Sequence, residues 1–170
     1  MNTLQYSKRQ EERLVKKLKS LGVEIVKHYG DREKDSGDVL AKIKLGDKSE
    51  LIRFDHKSTR SPDTFTLKET MLPKLAKECL QRKGEDGNSY AAISISFLGD
   101  RNIYVASFVN VGKQSAVLMK TPPKGGKHIK LNKEEAREYW CLYKRILKFN
   151  DYTAYLYELS RFVYWVKESL

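Results

Sequence analysis

The sequence has little cysteine and no long apolar run. Its 170 residues include two cysteines, Cys79 and Cys141, too few for a disulfide framework or a thiolate zinc site. A reducing, intracellular setting is the expectation that follows. No apolar stretch approaches the roughly 18 residues that a membrane-spanning helix needs, so no membrane partner is expected. The opening segment, MNTLQYSKRQEER, lacks the apolar core of a secretory signal. There is no internal repeat and no low-complexity tract. Histidine is scarce too: His28 and His128 have no convergent partners in the sequence, and neither is assigned a role.

Positive charge is what the chain has in excess. Lys and Arg number 33 against 22 Asp and Glu, a net charge of +11. Such an excess suits a polyanionic partner, most commonly nucleic acid; the alternative is a lysine-covered surface that serves solubility. The length fits one domain with a sizeable core.

The pattern reads as a helix, three strands, a helix, two strands, a basic loop and further helices. Ser7 and Gln10 form a capping box that opens a helix over 8–21, and Gly22 closes it. Strands are expected over 23–29, 38–45 and 50–58, the last two joined by a turn at 46–49. A second capping box, Thr66 with Glu69, predicts a helix from about residue 67 to 83, kinked at Pro73. Strands follow at 90–97 and 103–110. A helix between the third and fourth strands is the crossover that parallel pairing requires, which makes the chain α/β. Helices over 132–148 and 151–168 would form a helical C-terminal extension, rich in aromatics. The expected division is a core over 1–112 and, packed on it in the same domain, a basic loop with that extension over 113–170.

Asp55-His56-Lys57 is the only Asp/Glu-x-Lys tripeptide in the chain, and it lies in a strand-like segment, LIRFDHKS. Alternation puts Asp55 and Lys57 on one face and His56 on the other, where His56 reads as a packed histidine rather than a base. A hairpin symmetric about its turn would set Asp38 opposite Lys57 and diagonal to Asp55. Glu11 falls on the apolar side of the first helix, with Leu14, Val15 and Leu18. A carboxylate facing inward there calls for a partner. Two or three carboxylates with a lysine suit Mg²⁺, which takes oxygen ligands and leaves room for water and phosphate. Glu11, Asp38, Asp55 and Lys57 would then form a phosphodiester hydrolysis site.

The order of these residues resembles the PD-(D/E)xK nuclease superfamily: a helical Glu11-x-x-Leu14, then Gly37-Asp38-Val39-Leu40 opening a strand, then Asp55-x-Lys57 on the next. Within it, the chain is most similar to the archaeal Holliday-junction resolvases. Gly22 before Val23-Glu24-Ile25-Val26, Lys68-Glu69-Thr70-Met71 and Phe108-Val109-Asn110-Val111-Gly112 agree with segments of those proteins. The likeness covers about residues 4–112. Gly37 stands where the signature has proline, and Asp55 where those resolvases more often carry glutamate. The resemblance implies a restriction-endonuclease-like mixed central β-sheet flanked by helices. It also implies a Mg²⁺-dependent endonuclease, with Mn²⁺ as a substitute, that acts as a homodimer on branched DNA. Glu11, Asp38 and Asp55 would hold the metal, Lys57 would complete the catalytic set, and Lys68, opening the crossover helix, would contact the scissile-strand phosphate. A restriction-like or repair endonuclease on duplex DNA, and a non-catalytic nucleic-acid-binding module, are the alternatives.

Ser58, Thr59 and Arg60 follow the catalytic strand and are phosphate contacts by position. Lysines in the basic loop, Lys124 and Lys127 among them, read equally as a solvated surface or as DNA-backbone contacts. The aromatic C-terminal region reads as core or subunit interface, with base stacking as the other reading.

Overall fold

The structure is a computed structural model that describes residues 3–28, 39–110, 113–114, 126–140 and 144–170. The elements run α1 (Thr3–Ser20), β1 (Glu24–His28), β2 (Val39–Leu45), β3 (Lys48–Thr59), β4 (Thr64–Lys68), α2 (Met71–Gln81) and the single turn α3 (Lys83–Asp86). They continue as β5 (Ser89–Phe97), β6 (Ile103–Ser107), β7 (Val109–Asn110), β8 (Lys113–Gln114), β9 (His128–Asn132) and α4 (Lys133–Glu135), which passes into a π-helical turn (Ala136–Trp140). The chain ends in β10 (Arg145–Lys148), β11 (Thr153–Glu158) and α5 (Leu159–Glu168).

Seven strands form the central sheet, in the order β1-β2-β3-β5-β6-β11-β10. β3 and β5 are parallel and joined through α2, while every other neighbouring pair is antiparallel. The chain is therefore α/β, with a mixed, mostly antiparallel sheet flanked by helices. β5 lies inside the sheet with both faces covered, and its residues from Ala91 to Phe97 are all buried. α1 and α5 cover one face: Leu14, Leu18, Phe162 and Val166 pack there on Val39, Ala41, Ile52 and Phe54. The Phe54 and Phe162 rings meet edge to face at 6.1 Å. On the other face lie α2, the β4–β9 ribbon and the π-helical turn, with Leu72, Leu75, Leu131 and Trp140 against Ile93, Ile95 and Phe97. No helix among the described residues is long and apolar enough to cross a membrane.

Local chemistry explains the punctuation. α1 ends where Gly22 adopts φ +77° and the Val23 amide returns to the Leu18 carbonyl at 3.0 Å. The β2–β3 hairpin turns on Gly46, at φ +65°, and Asp47. Its loop is shorter than expected, so Leu45 pairs with Lys48 and Val39 with Phe54. The symmetric pairing predicted from sequence set Val39 against His56. Asp38, whose predicted place opposite Lys57 rested on that pairing, lies outside the described residues.

Other expectations are corrected. α1 begins at Thr3, which leaves Ser7 and Gln10 inside the helix rather than at its cap. The segment around Thr66 is strand β4, and α2 starts at Met71. Lys68 is thus the last residue of a strand and pairs with His128; it does not open the crossover helix. Pro73 sits in the first turn of α2, where its missing N–H costs nothing, and it causes no break. The C-terminal region is not a helical extension. β11 and β10 complete the sheet beside β6, and of the two long helices expected there only α5 forms. Apolar residues are so dense over 152–163 that they satisfy helical spacing and strand alternation alike.

Candidate active site

Asp55 and Lys57 alternate along β3 with His56 between them. The Lys57 ammonium lies 3.1 Å from Asp55 Oδ2, with the carboxylate 16% and the lysine 38% exposed. Both residues pair with β5, Asp55 against Ile93 and Lys57 against Ile95. Phe54 and Ile52 belong to the core under α1, so alternation turns Asp55 and Lys57 toward the face that carries α2.

Glu11 approaches from α1, on the opposite side of the sheet. Its carboxylate is 15% exposed and lies 3.7 Å from His28 Nε2. Burial raises its pKa above the usual carboxylate value; His28 opposes the rise, and the charge on Asp55 adds to it. The two carboxylates are therefore close enough to repel each other. Among the described residues, however, no three Asp, Glu, His or Cys side chains gather as a metal group. Mg²⁺ takes only one or two carboxylates where water and substrate phosphate complete its shell. Glu11 and Asp55 are both oxygen donors, but they approach from opposite faces of the sheet and are not gathered into a ligand set among the described residues. Asp38, the third expected ligand, is outside the described residues.

His28 is the residue of this cluster that the sequence did not reveal. Simple alternation would place Ile25 and Lys27 on the α1 face and His28 on the other. β1 instead carries a bulge: Ile25 pairs with Ala41, but Lys27 pairs with Leu40 and His28 with Val39. The extra residue, Val26, exchanges the two faces. His28 comes round to Glu11, while Lys27 reaches the buried Asp86 carboxylate together with Arg53. Burial would raise the Asp86 pKa, but hydrogen bonds from Lys27 and Arg53 outweigh it and hold it below the ordinary value.

His56 is packed, as its face implied. Its Nδ1 lies 2.8 Å from Ser94 Oγ and its Nε2 3.1 Å from Ser96 Oγ. Ser96 donates its single proton to Gln10 Oε1 at 3.2 Å, so Nε2 must be the protonated ring nitrogen and Nδ1 must accept from Ser94. Burial, with the charges of Arg13 and Lys57, lowers the His56 pKa to about 3, which keeps the ring neutral. Gln10 Oε1 also accepts from Arg13 at 2.6 Å. A polar chain thus ties β3 to α1, the helix that presents Glu11.

The expected phosphate contacts fare unevenly. The Thr59 hydroxyl accepts from the Ser61 amide at 3.0 Å and faces the Thr64 carbonyl at 3.4 Å, so it organises the turn between β3 and β4. Tyr6 donates to the Thr59 carbonyl at 3.2 Å, and the Arg60 guanidinium sits 5.2 Å over the Tyr6 ring. Ser58 is half-buried near the end of β3. Lys68 is exposed on β4. Lys127 donates from Nζ to the Lys148 carbonyl at 3.0 Å. Lys124 lies outside the described residues.

Glu69, read from sequence as half of a capping box, is instead buried. Its carboxylate accepts the amides of Lys127, at 3.3 Å, and of Asn150, while its own carbonyl accepts the Tyr152 hydroxyl at 2.5 Å. It fastens β4 to two distant segments and has no part in the site.

No family model, no curated protein and no solved structure matches this chain.

Proposed function

We propose that the chain is a metal-dependent endonuclease of the PD-(D/E)xK kind, which hydrolyses DNA phosphodiester bonds and prefers branched substrates. The observation that carries the reading is the Asp55–Lys57 pair on a partly open stretch of β3. The order of elements supports it as well. A helix, three strands, a crossover helix and a further strand parallel to the third follow the α-β-β-β-α-β order in which the resemblance set these motifs, with β4 added before the crossover helix.

In this reading Asp55 would hold Mg²⁺, or Mn²⁺ in its place, with Asp38 and Glu11 as the further carboxylates that the resemblance implies. The ion would make the attacking water more acidic and offset charge on the phosphate oxygens. Lys57 supplies an ammonium donor beside Asp55 that orients the nucleophile or a non-bridging oxygen. Asp55 in turn holds that ammonium in place. His56, neutral and turned into the core, moves no proton. A homodimer would present two such sites to a branched substrate of approximate twofold symmetry.

The test is cleavage of a labelled four-way junction and a matched duplex, in Mg²⁺ or EDTA, by the wild type and by Asp55→Ala. Junction cleavage that requires metal and disappears in the variant is the expected result. Equal cleavage of both substrates would keep the nuclease and remove the preference for branches. Binding without cleavage in either Mg²⁺ or Mn²⁺ would overturn the catalytic reading in favour of a non-catalytic binding module.

A further inference from the structure

A second feature of α1 lies apart from the Asp55 site. Arg13, Lys16, Lys17 and Ser20 line an open recess of about 290 Å³, closed on the far side by Arg101 and Ile103. Four of its six lining residues are cationic and none is acidic. Arg13 is the fixed element. Its guanidinium donates to the carbonyls of Asp100 at 2.9 Å and Arg101 at 3.1 Å, and to Gln10 Oε1 at 2.6 Å. All three acceptors are neutral oxygens, so they orient the group without cancelling its charge. That charge is felt as far as His56, where it helps to depress the ring's pKa.

We propose that this recess is a seat for nucleic-acid backbone phosphate, separate from the one at the scissile bond. The choice of nucleic acid rests on the nuclease reading given above. The shape supports it further. A site built for a small anion would enclose its ligand with buried donors, whereas this one is open, with Lys16 and Arg101 exposed on its rim. Backbone recognition uses mobile cations on an open surface around a few fixed ones. Arg13 and Glu11 are two residues apart on one helix and project about 160° apart. Lys17 lies about 9 Å further along the axis than Glu11. A strand held here would therefore run along the flank of α1 away from the site, as a second arm or a distal stretch of the same substrate.

The test measures binding of the full chain to a short labelled duplex in EDTA across a salt series, for the wild type, Lys16→Gln/Lys17→Gln, Arg101→Gln, and Lys74→Gln/Lys77→Gln as a charge-matched control on α2. Thermal melts of each variant report folding. The recess double variant should bind about tenfold more weakly, and its log–log salt slope should shrink by about two, one for each cation removed from the phosphate seat. Arg101→Gln should lower the slope by about one. The control should keep the wild-type slope. A recess double variant that melts like the wild type and keeps its affinity and slope overturns the proposal. So does saturation of the recess by inorganic phosphate, abolished in the double variant, with DNA binding unaffected; that would mark a small-anion site. Metal-dependent cleavage by the wild type is scored separately. If it is absent while the slope still falls in the recess variants, the nuclease reading fails and the phosphate seat stands. If cleavage is present and the slopes are equal, the reverse holds.

Discussion

Glu11 is held where its charge is disfavoured. Burial raises its pKa, and Asp55 pushes in the same direction. A carboxyl whose folded pKa lies above its unfolded value stabilises the fold only while protonated, and that contribution is lost as pH rises through the folded value. At neutral pH the ionised side chain is therefore a burden on the fold. Glu11→Gln should raise the urea midpoint at pH 7 while reducing metal-dependent cleavage to the EDTA background. A variant less stable than the wild type would remove the argument. His56 gives the opposite dependence. Its pKa falls from 6.5 unfolded to about 3 folded, so its contribution is complete above pH 6.5 and declines as pH drops toward 3. The decline should approach about 1.4 kcal/mol per pH unit. Between pH 6.5 and about 5, before most carboxylates titrate, the stability of the wild type should fall relative to that of His56→Gln, as followed by urea unfolding. The facing of His56 was legible because alternation along β3 is regular. The partner of Glu11 was not, because a single extra residue in β1 reverses the faces and composition does not announce it.

At the scale of elements, the β2–β3 hairpin, β5, β6 and the crossover helix were legible from apolar period and turn residues. β4 was hidden by Glu69. A Thr-x-x-Glu pattern looks like a helix start when the glutamate is free to reach back, but this glutamate is taken by amides 58 and 81 residues away in sequence. Local pattern cannot register such partners. The same latch explains Gly126. A Cβ there would lie 2.6 Å from Glu69 Cβ, so Gly126→Ala must displace the buried carboxylate. A loss of about 1–3 kcal/mol is expected, measurable as a lower urea midpoint with unchanged slope. Arg53 was equally silent. Its segment, LIRF, reads as a core strand, and the carboxylate that makes a buried guanidinium tolerable sits on α3, 33 residues away.

At the scale of the molecule, the α/β class and the mixed sheet were legible, because a crossover helix between strands admits few arrangements. The fate of the last third was not. β11 pairs with β6 along Tyr104 to Ser107, and α5 lies on the core that Phe54 and Val105 share. Removing residues 145–170 should consequently abolish cooperative unfolding in a circular-dichroism melt, rather than leave a working core over 1–112. A fragment that still unfolds cooperatively would show instead that the core does not need β10, β11 and α5.

The sheet is open, with β1 and β10 at its ends. An outermost strand invites pairing with another chain, and proteins blunt it with shortness, charge and irregularity. β10 has four residues, two of them Arg145 and Lys148. β1 carries Glu24 and Lys27 and breaks its own register at Val26. The irregularity that brings His28 to Glu11 thus also spoils β1 as a template, and straightening that strand would invite fibrous self-association along with the loss of the cluster.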